Sequence, residues 1–160
     1  MQFYRYAIAL GSNRRHGRHG PPERVIRAAV GALAASGLRM VAVSPVRRTP
    51  ALGPAGRAFA NAAVLVDTRF DPPALLALLK ATEAAFGRRR GRRWGPRVLD
   101  LDILLWSGGR WRARGLIVPH AALEERDFVL RPLVAIAPDW RIGPGVRNVR
   151  HALFRLRAAG

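Results

Sequence analysis

The sequence predicts an α+β fold of the ferredoxin-like type, with a β-α-β-β-α-β core followed by C-terminal additions. Strand-like runs and two amphipathic helical runs follow one another in that order along the chain. The length of 160 residues falls within the usual size of one domain, and no internal repeat or linker interrupts it. We therefore expect residues 1–160 to form a single domain, in which two helices cover one face of a four-stranded sheet and the other face is uncovered.

Segments rich in β-branched and aromatic residues predict the four strands of this sheet, at 3–10, 38–46, 60–67 and 98–106. The first strand ends at Gly11-Ser12-Asn13, a tripeptide that is more typical of a plain turn than of a phosphate-binding loop. A loop rich in Pro and Gly, residues 49–57, joins the second strand to the third.

Two segments between these strands have helical periodicity. The first is predicted to begin near Pro22 and to end at Gly37, a residue suited to a left-handed C-cap. Its apolar residues recur at i, i+3, i+4 and i+7: Ile26, Ala29, Val30 and Leu33. The second has Asp71 as N-cap, Pro72 at the first helical position and Gly87 as its stop.

The segments after residue 107 are expected to add smaller elements to the same domain. A hairpin is expected around Gly108-Gly109 and a loop at Pro119-His120. An apolar segment covers residues 128–136, and a closing helix is expected near residues 149–158.

The composition excludes several classes of protein. Hydrophobic residues make up 49% of the chain and charged residues 24%, which is ordinary globular usage and rules out disorder as the main state. No run of 18 apolar residues is present, and the first ten residues do not have a signal-peptide layout, so we expect a cytoplasmic protein without membrane partners. The absence of cysteine excludes disulfides, thiolate metal sites and cysteine nucleophiles.

The formal net charge of +18 would ordinarily indicate a nucleic acid or another polyanion as partner. Lys80 is the only lysine, however, and this preference for Arg could reflect genome composition instead of a partner. The local density of charge is more informative, because six arginines crowd one short stretch: Arg88, Arg89, Arg90, Arg92, Arg93 and Arg97. On charge alone, a solvated loop and a polyanion site are equally good interpretations.

Asp100 and Asp102 are the sharpest chemical feature of the sequence. Because side chains alternate in a strand, both carboxylates are expected on one face, about 7 Å apart at Cα. Leu99, Leu101 and Ile103 would then point to the opposite face. Two carboxylates this close repel each other unless a divalent cation lies between them, and Mg²⁺ is the natural candidate. The alternative is a solvent-facing strand edge, although Asp is disfavoured in strands.

The Arg-rich stretch ends only a few residues before this pair of carboxylates. The arginines and the metal site are therefore expected to lie close together on one side of the fold. A polyphosphate with bound Mg²⁺ requires this arrangement. Trp94 could stack on a base or ring, or could be an exposed loop residue. His120 could contact phosphate or ribose, whereas a lone loop histidine usually does neither.

Several blocks of residues occur in a recognisable order along almost the whole chain. They are Gly11-Ser12-Asn13, residues 48–54 (RTPALGP), residues 59–62 (FANA), residues 93–103 (RWGPRVLDLDI), and Val118-Pro119-His120 with Arg126 and Phe128. Together they resemble the 6-hydroxymethyl-7,8-dihydropterin pyrophosphokinase family. The block at 93–103 is highly specific, whereas Gly-Ser-Asn alone would be a weak signal.

The resemblance implies transfer of the pyrophosphoryl group of ATP to the hydroxymethyl oxygen of a reduced pterin, which gives AMP and a pterin diphosphate for folate synthesis. It implies two Mg²⁺ ions as cofactors, held by Asp100 and Asp102. We also expect the chain to act as a monomer and without nucleic acid. Arg88 and Arg97 would share the catalytic role with the two aspartates.

The resemblance also implies two sets of binding residues. Phe59 and Phe128 would sandwich the pterin ring, and the remaining pterin-binding residues would be Thr49, Pro50, Leu52, Asn61, Trp94 and Asp100. The ATP-binding residues would be Lys80, Glu83, Arg88, Trp94, Arg97, Ile103, His120 and Arg126. Two positions depart from the family pattern, since Phe59 stands where Tyr is common and Gly115 stands where Arg is expected.

An RNA-binding module is the alternative from another class, because the same order of elements describes sheets that stack bases on exposed aromatic residues. Such a sheet presents aromatics on its central strands with few carboxylates among them. Here Asp100 and Asp102 would repel phosphate in the absence of metal, which favours the enzyme over the RNA-binding module.

Overall fold

The structure is a computed structural model that describes residues 2–14, 16–49, 59–87, 98–143 and 147–160. The strands are β1 (Tyr4–Ser12), β2 (Arg39–Val43), β3 (Arg47–Thr49), β4 (Phe59–Thr68), β5 (Asp100–Trp106), β6 (Trp111–Ala113) and β7 (Leu116–Val118). The α-helices are α1 (Pro22–Ala35), α2 (Pro72–Gly87), α3 (Asp127–Ile136) and α4 (Val149–Ala159), and a 3₁₀ turn covers Leu123–Glu125.

The main sheet has the strand order β2-β4-β1-β5, and β3 also pairs with β4. All of these pairings are antiparallel. β1 and β4 are therefore central, whereas β2 and β5 lie at the edges of the described sheet. The fold is α+β with the predicted β-α-β-β-α-β order, and β3 is an additional short strand that forms before β4.

The first face of the sheet carries the core that the sequence predicts. Alternate residues of β1 and β4 pack there against the apolar stripes of α1 and α2, among them Tyr6, Ile8, Leu10, Val64, Val66, Ile26, Leu33, Leu75 and Leu79. Asp71 caps α2 by accepting a hydrogen bond from the backbone N–H of Ala74 at 3.0 Å. Gly37 follows α1 with φ of 91°, the left-handed conformation expected of its C-cap.

The prediction that the second face is uncovered is wrong. α3 packs on β4, and α3 and α4 pack on each other, forming a second apolar layer. Ala63, Leu65 and Leu105 of the sheet meet Leu130, Leu133 and Leu153 of these helices. The apolar segment at 128–136 is amphipathic, so it forms a helix that buries its apolar side on this face.

Several element boundaries differ from the sequence prediction. β1 continues through Gly11 and Ser12, so this pair belongs to a strand and not to a turn. The predicted strand at 38–46 is shorter in the structure, because β2 ends at Val43, and the separate strand β3 begins only at Arg47. Between them, the Ser44 hydroxyl accepts a hydrogen bond from Ala63 N–H at 2.9 Å. The hairpin of β6 and β7 turns at Arg114-Gly115, while Gly109 makes only an isolated bridge to Trp106.

Candidate active site

Asp100 and Asp102 begin β5 and point to the second face of the sheet. Both side chains are exposed, whereas Leu101 and Ile103 between and after them are buried on the first face. This alternation confirms the prediction that one face carries both carboxylates. The β1–β5 register places Gly11 opposite Asp100 and Ala9 opposite Asp102.

The same register continues into β4 and brings a third strand to the carboxylates. Gly11 lies opposite Asn61, and Ala9 lies opposite Ala63. Small residues on the central strand therefore leave open space between β4 and the two aspartates. α3 covers the next row of the sheet, where Leu65 and Ala7 belong to the second apolar layer.

A cavity of about 360 Å³ occupies this space. Six of the residues predicted to bind substrate or metal line it together: Phe59, Asn61, Asp100, Asp102, Arg126 and Phe128. Ala9, Leu10, Gly11, Ser12, Asn13, Ala62 and Val129 complete its walls. The cavity thus brings together residues from β1, β4, β5 and the start of α3.

Two aromatic rings in this cavity are about half exposed. Phe59 is 46% exposed and Phe128 is 48% exposed, although both lie beside well-packed elements. The guanidinium carbon of Arg126 lies 5.9 Å from the centre of the Phe128 ring. Exposed ring faces on a concave surface are suited to a flat ligand, because stacking buries them without filling the protein core.

Asn61 contributes a buried amide to the same cavity, with only 8% of its surface exposed. Its position depends on Gly11, because a Cβ added at Gly11 would lie 3.2 Å from Asn61 Oδ1. Any side chain at Gly11 would therefore displace the amide. This role of Gly11 is not evident from the sequence, in which Gly11-Ser12-Asn13 is typical of a plain turn.

A second cavity, of about 310 Å³, adjoins the first at Asp102, which lines both. Its other residues come from α2, β5, the β6–β7 hairpin and the loop after it: Leu76, Lys80, Leu101, Ile103, Ala113, Gly115, Leu116, Ile117, His120 and Ala121. Three of the predicted ATP-binding residues, Lys80, Ile103 and His120, meet here.

His120 is held in place by two backbone contacts. Its N–H donates to Leu104 O at 3.0 Å, and its Nδ1 accepts from the N–H of Ala122 at 3.1 Å. Because Nδ1 serves as an acceptor, the neutral ring carries its proton on Nε2. His120 can therefore donate a hydrogen bond from Nε2 to an anionic oxygen.

The backbone conformation at position 115 explains why glycine stands there and not the arginine that the family pattern leads one to expect. It has φ of 85° in the turn between β6 and β7, a conformation that favours glycine over arginine. No charged side chain can project from this position, so the wall of the second cavity is mainly apolar there. The neighbouring apolar residues of this wall cannot be recognised from the sequence, since single apolar residues in a short hairpin are not distinctive of a binding site.

Glu83 does not line either cavity. Its Oε2 accepts a hydrogen bond from the N–H of Leu101 at 2.8 Å, and its Oε1 lies 3.4 Å from Lys80 Nζ. The carboxylate thus lies beside the outer edge of β5, between α2 and the strand that carries the aspartates.

Thr49 lies on β3 opposite Phe59 and is exposed at the rim of the site. The remaining predicted site residues, Pro50, Leu52, Arg88, Trp94 and Arg97, lie outside the described residues. The other arginines of the Arg-rich stretch lie outside them as well.

The donor set of the first cavity fits Mg²⁺. Within the described ranges, no group of three or more His, Asp or Glu side chains could hold a metal ion. Mg²⁺ commonly takes one or two carboxylates and completes its coordination with water and substrate phosphates. The two aspartates therefore suit an ion that binds together with a polyphosphate, and do not form a complete cage.

In the part of the chain that the structure describes, no helix has both the length and the apolar character needed to cross a bilayer.

An α+β domain with two adjoining cavities that share the carboxylate of Asp102 is suited to hold two ligands side by side. Sequence similarity assigns this domain to a family. Residues 7–138 match the family model of 7,8-dihydro-6-hydroxymethylpterin-pyrophosphokinase (HPPK). The chain belongs to this family, and it is a pyrophosphokinase.

Two relatives illustrate how far the likeness extends. The 2-amino-4-hydroxy-6-hydroxymethyldihydropteridine pyrophosphokinase of Methylorubrum extorquens is 44% identical over 155 residues, which are 96% of this chain and 94% of that protein. The enzyme of the same name from Pseudomonas aeruginosa is 43% identical over 143 residues, which are 88% of this chain and 85% of that protein.

The fold is also similar to solved structures. The crystal structure of Plasmodium falciparum HPPK-DHPS wild type with pteroate superposes with a TM-score of 0.73 at 12% sequence identity. The match covers 96% of this chain and 44% of that one, so this chain spans less than half the length of that protein. At this identity the likeness supports the fold and nothing further.

Proposed function

We propose that this protein transfers the pyrophosphoryl group of ATP to the hydroxymethyl oxygen of 6-hydroxymethyl-7,8-dihydropterin, with AMP and the pterin diphosphate of folate synthesis as products. The observation that carries the residue assignment is the cavity of about 360 Å³ in which two half-exposed aromatic rings, a buried amide and two carboxylates meet. One wall suits a flat heterocycle and the other suits a metal-bound phosphate.

The pterin ring binds in the first cavity between Phe59 and Phe128. The exposed faces of these rings support this assignment, because a flat heterocycle gains both stacking and apolar burial there. The amide of Asn61 can donate and accept hydrogen bonds along the edge of the pterin, which carries both donors and acceptors. Thr49, Pro50, Leu52, Trp94 and Asp100 complete this proposed site.

ATP binds in the second cavity, with its triphosphate directed toward Asp102. Lys80, His120 and Arg126 supply positive charge or N–H donors for the phosphate oxygens, and Ile103 lies against the nucleoside. Arg88, Trp94 and Arg97 are proposed to close over the nucleotide. Because Asp102 lines both cavities, this arrangement directs the phosphates to the boundary with the pterin.

Asp100 and Asp102 would hold two Mg²⁺ ions together with the triphosphate. Bound Mg²⁺ supplies Lewis-acid stabilisation of the charge that develops on the transferring phosphoryl group. The two carboxylates orient the attacking hydroxyl and the β-phosphorus toward each other across the boundary between the cavities. Arg88 and Arg97 stabilise negative charge on the phosphate oxygens during transfer.

Transfer requires that the hydroxymethyl oxygen of the pterin attack the β-phosphorus. At the same time, the bond between the β-phosphorus and the oxygen that bridges the α- and β-phosphates breaks. The hydroxyl proton passes to solvent water as the new O–P bond forms, and AMP departs with the bridging oxygen. Fixed positions of the two substrates supply much of the rate enhancement for such a reaction.

An RNA ligand has less support than these substrates. Helices cover both faces of the central strands in the described chain, so the open sheet surface on which such modules stack bases is not available. The single-domain organisation, the monomeric state and the cytoplasmic location remain predictions from the sequence.

The direct test is an assay of AMP formation from ATP with purified protein. AMP should form only when both 6-hydroxymethyl-7,8-dihydropterin and Mg²⁺ are present, and excess EDTA should abolish it. A reduced pterin without the hydroxymethyl group should support no AMP formation. Equal AMP formation with and without the pterin would contradict the proposed reaction.

A further inference from the structure

The carboxylate of Glu83 contacts the backbone between the two aspartates. The N–H of Leu101 donates to Glu83 Oε2 at 2.8 Å, and Leu101 separates Asp100 from Asp102. Only 11% of the Glu83 side chain is exposed, whereas its partner Lys80 is 51% exposed. The backbone contact is therefore the better shielded of the two interactions of Glu83.

The contact occurs on the open edge of β5. In the described sheet β5 pairs only with β1, and an antiparallel edge strand directs alternate N–H groups away from its partner. Leu101 has such an outward N–H, and its side chain is buried beneath the sheet. Without Glu83 this partly buried donor would have no acceptor from α2, which costs more than an ordinary exposed amide.

We propose that Glu83 is a positioning residue that fixes the peptide between Asp100 and Asp102 and thereby sets the direction of the two metal-binding carboxylates. This role rests on the proposed function, because it assumes that the two aspartates hold Mg²⁺. A hydrogen bond to an ionised acceptor restrains the amide plane more strongly than a neutral one. Groups that hold metal ligands in place typically change metal affinity when they are removed.

The position of Glu83 favours the positioning role over a direct contact with ATP. Both carboxylate oxygens already have partners, and Glu83 lines neither of the two cavities. Its negative charge would also repel the triphosphate if it faced the nucleotide without a cation between them. Lys80, which does line the second cavity, offsets that charge from the exposed side.

The test compares Glu83→Ala, which removes the acceptor, with Glu83→Gln, which keeps an oxygen acceptor without the charge. We expect the Leu101 amide to exchange faster in Glu83→Ala than in the wild type, as followed by NMR. The affinity for Mn²⁺ in the presence of a non-hydrolysable ATP analogue should fall by about 10-fold, and kcat should fall while the KM for ATP stays close to its wild-type value.

Glu83→Gln should keep the protection of Leu101 and most of the Mn²⁺ affinity. Asp139→Ala serves as the control, because that carboxylate is 76% exposed and far along the chain from β5. If Glu83→Ala does not fold, Glu83→Asp replaces it, since the shorter side chain keeps the charge but retracts the acceptor. The same fast exchange and weaker Mn²⁺ binding are expected for it.

Two results would overturn the positioning role. The first is unchanged Leu101 exchange or unchanged Mn²⁺ affinity in the folded Ala or Asp variant. The second is a raised KM for ATP in both Glu83→Ala and Glu83→Gln with normal Mn²⁺ binding, which would assign Glu83 to the nucleotide. Failure of the proposed function gives a different result, namely Mn²⁺ binding that survives in Asp102→Asn.

Discussion

Individual residues of the first cavity have separable roles, because each contributes a different kind of contact. Phe59 and Phe128 offer ring faces, Asn61 offers a buried amide, and Gly11 leaves the space in which that amide fits. The sequence indicates the aromatic residues and Asn61 only through the family resemblance. The role of Gly11 depends on register with β4, which no local pattern in β1 contains.

Replacing Phe128 with Ala should weaken binding of the pterin by about 1–3 kcal/mol, if stacking on the pterin resembles stacking on nucleobases. Affinity for an ATP analogue should change little, because the ring lines only the first cavity. Isothermal titration calorimetry with the pterin measures the effect. Phe154→Ala is the matched control, since that ring is 72% exposed on α4. Unchanged pterin affinity in folded Phe128→Ala would remove Phe128 from the site.

Gly11→Ala should also weaken pterin binding, by about 1 kcal/mol, because the new Cβ displaces the Asn61 amide and one hydrogen bond is lost or lengthened. The added atom would lie 3.2 Å from Asn61 Oδ1, so a shift of a few tenths of an ångström is enough to relieve it. Gly17→Ala is the control, since nothing lies within 4 Å of a Cβ at that position. If the two variants bind the pterin equally well, the proposed role of Gly11 is wrong.

At the scale of the elements, the pairing of β1 with β4 is reinforced by a cross-strand ion pair. Arg5 lies opposite Asp67, and its Nε and NH2 groups donate to the two carboxylate oxygens at 2.8 and 3.0 Å. These hydrogen bonds lower the pKa of Asp67 below its ordinary value. Two parallel contacts of this kind favour one register of the strands.

The lowered pKa predicts how this pair affects stability as the pH changes. A carboxylate with a lowered folded-state pKa stabilises the fold at pH values above its unfolded pKa of about 3.9, and this stabilisation is lost as the pH falls through the folded value. Asp67→Asn should therefore lower the free energy of unfolding at pH 7 by about 1 kcal/mol or less, because Arg5 is 46% exposed to solvent.

Urea unfolding of both proteins between pH 7 and pH 3 measures this difference, which should shrink in the acidic part of the range. Asp139→Asn should show a smaller effect at pH 7, because its ion pair with Arg150 is exposed on both sides. A destabilisation by Asp67→Asn that stays constant down to pH 3 would show that the ionised carboxylate is not its cause.

At the scale of the whole molecule, the sequence predicted the α+β class, the first core layer and the face shared by the aspartates. These features depend on periodicity along one element, as in Asp100-Leu101-Asp102 and in the stripe of α2. The covering of the second face was not predictable in the same way. The apolar residues of α3 showed that something had to be buried, but only the tertiary structure shows against which surface.

The meeting of the site residues is likewise a property of the whole fold. Phe59 and Phe128 are far apart in sequence, and their common cavity exists because β4 is central and α3 returns over the end of the sheet. The family resemblance predicts that these residues lie in one site. The local sequence around each of them does not predict it. Glu83, which the resemblance assigns to the ATP site, contacts the backbone of Leu101 and lines neither of the two cavities described above.

The turnover of Asp102→Asn as a function of Mg²⁺ concentration tests whether Asp100 and Asp102 hold the Mg²⁺ used in pyrophosphoryl transfer. The substitution keeps the shape of the side chain and removes one negative charge, so the fold should survive while stabilisation of the transferring group is lost. We predict a turnover at least about 100-fold below that of the wild type at saturating Mg²⁺, with Asp139→Asn unaffected. Near-normal turnover of folded Asp102→Asn would contradict the metal assignment.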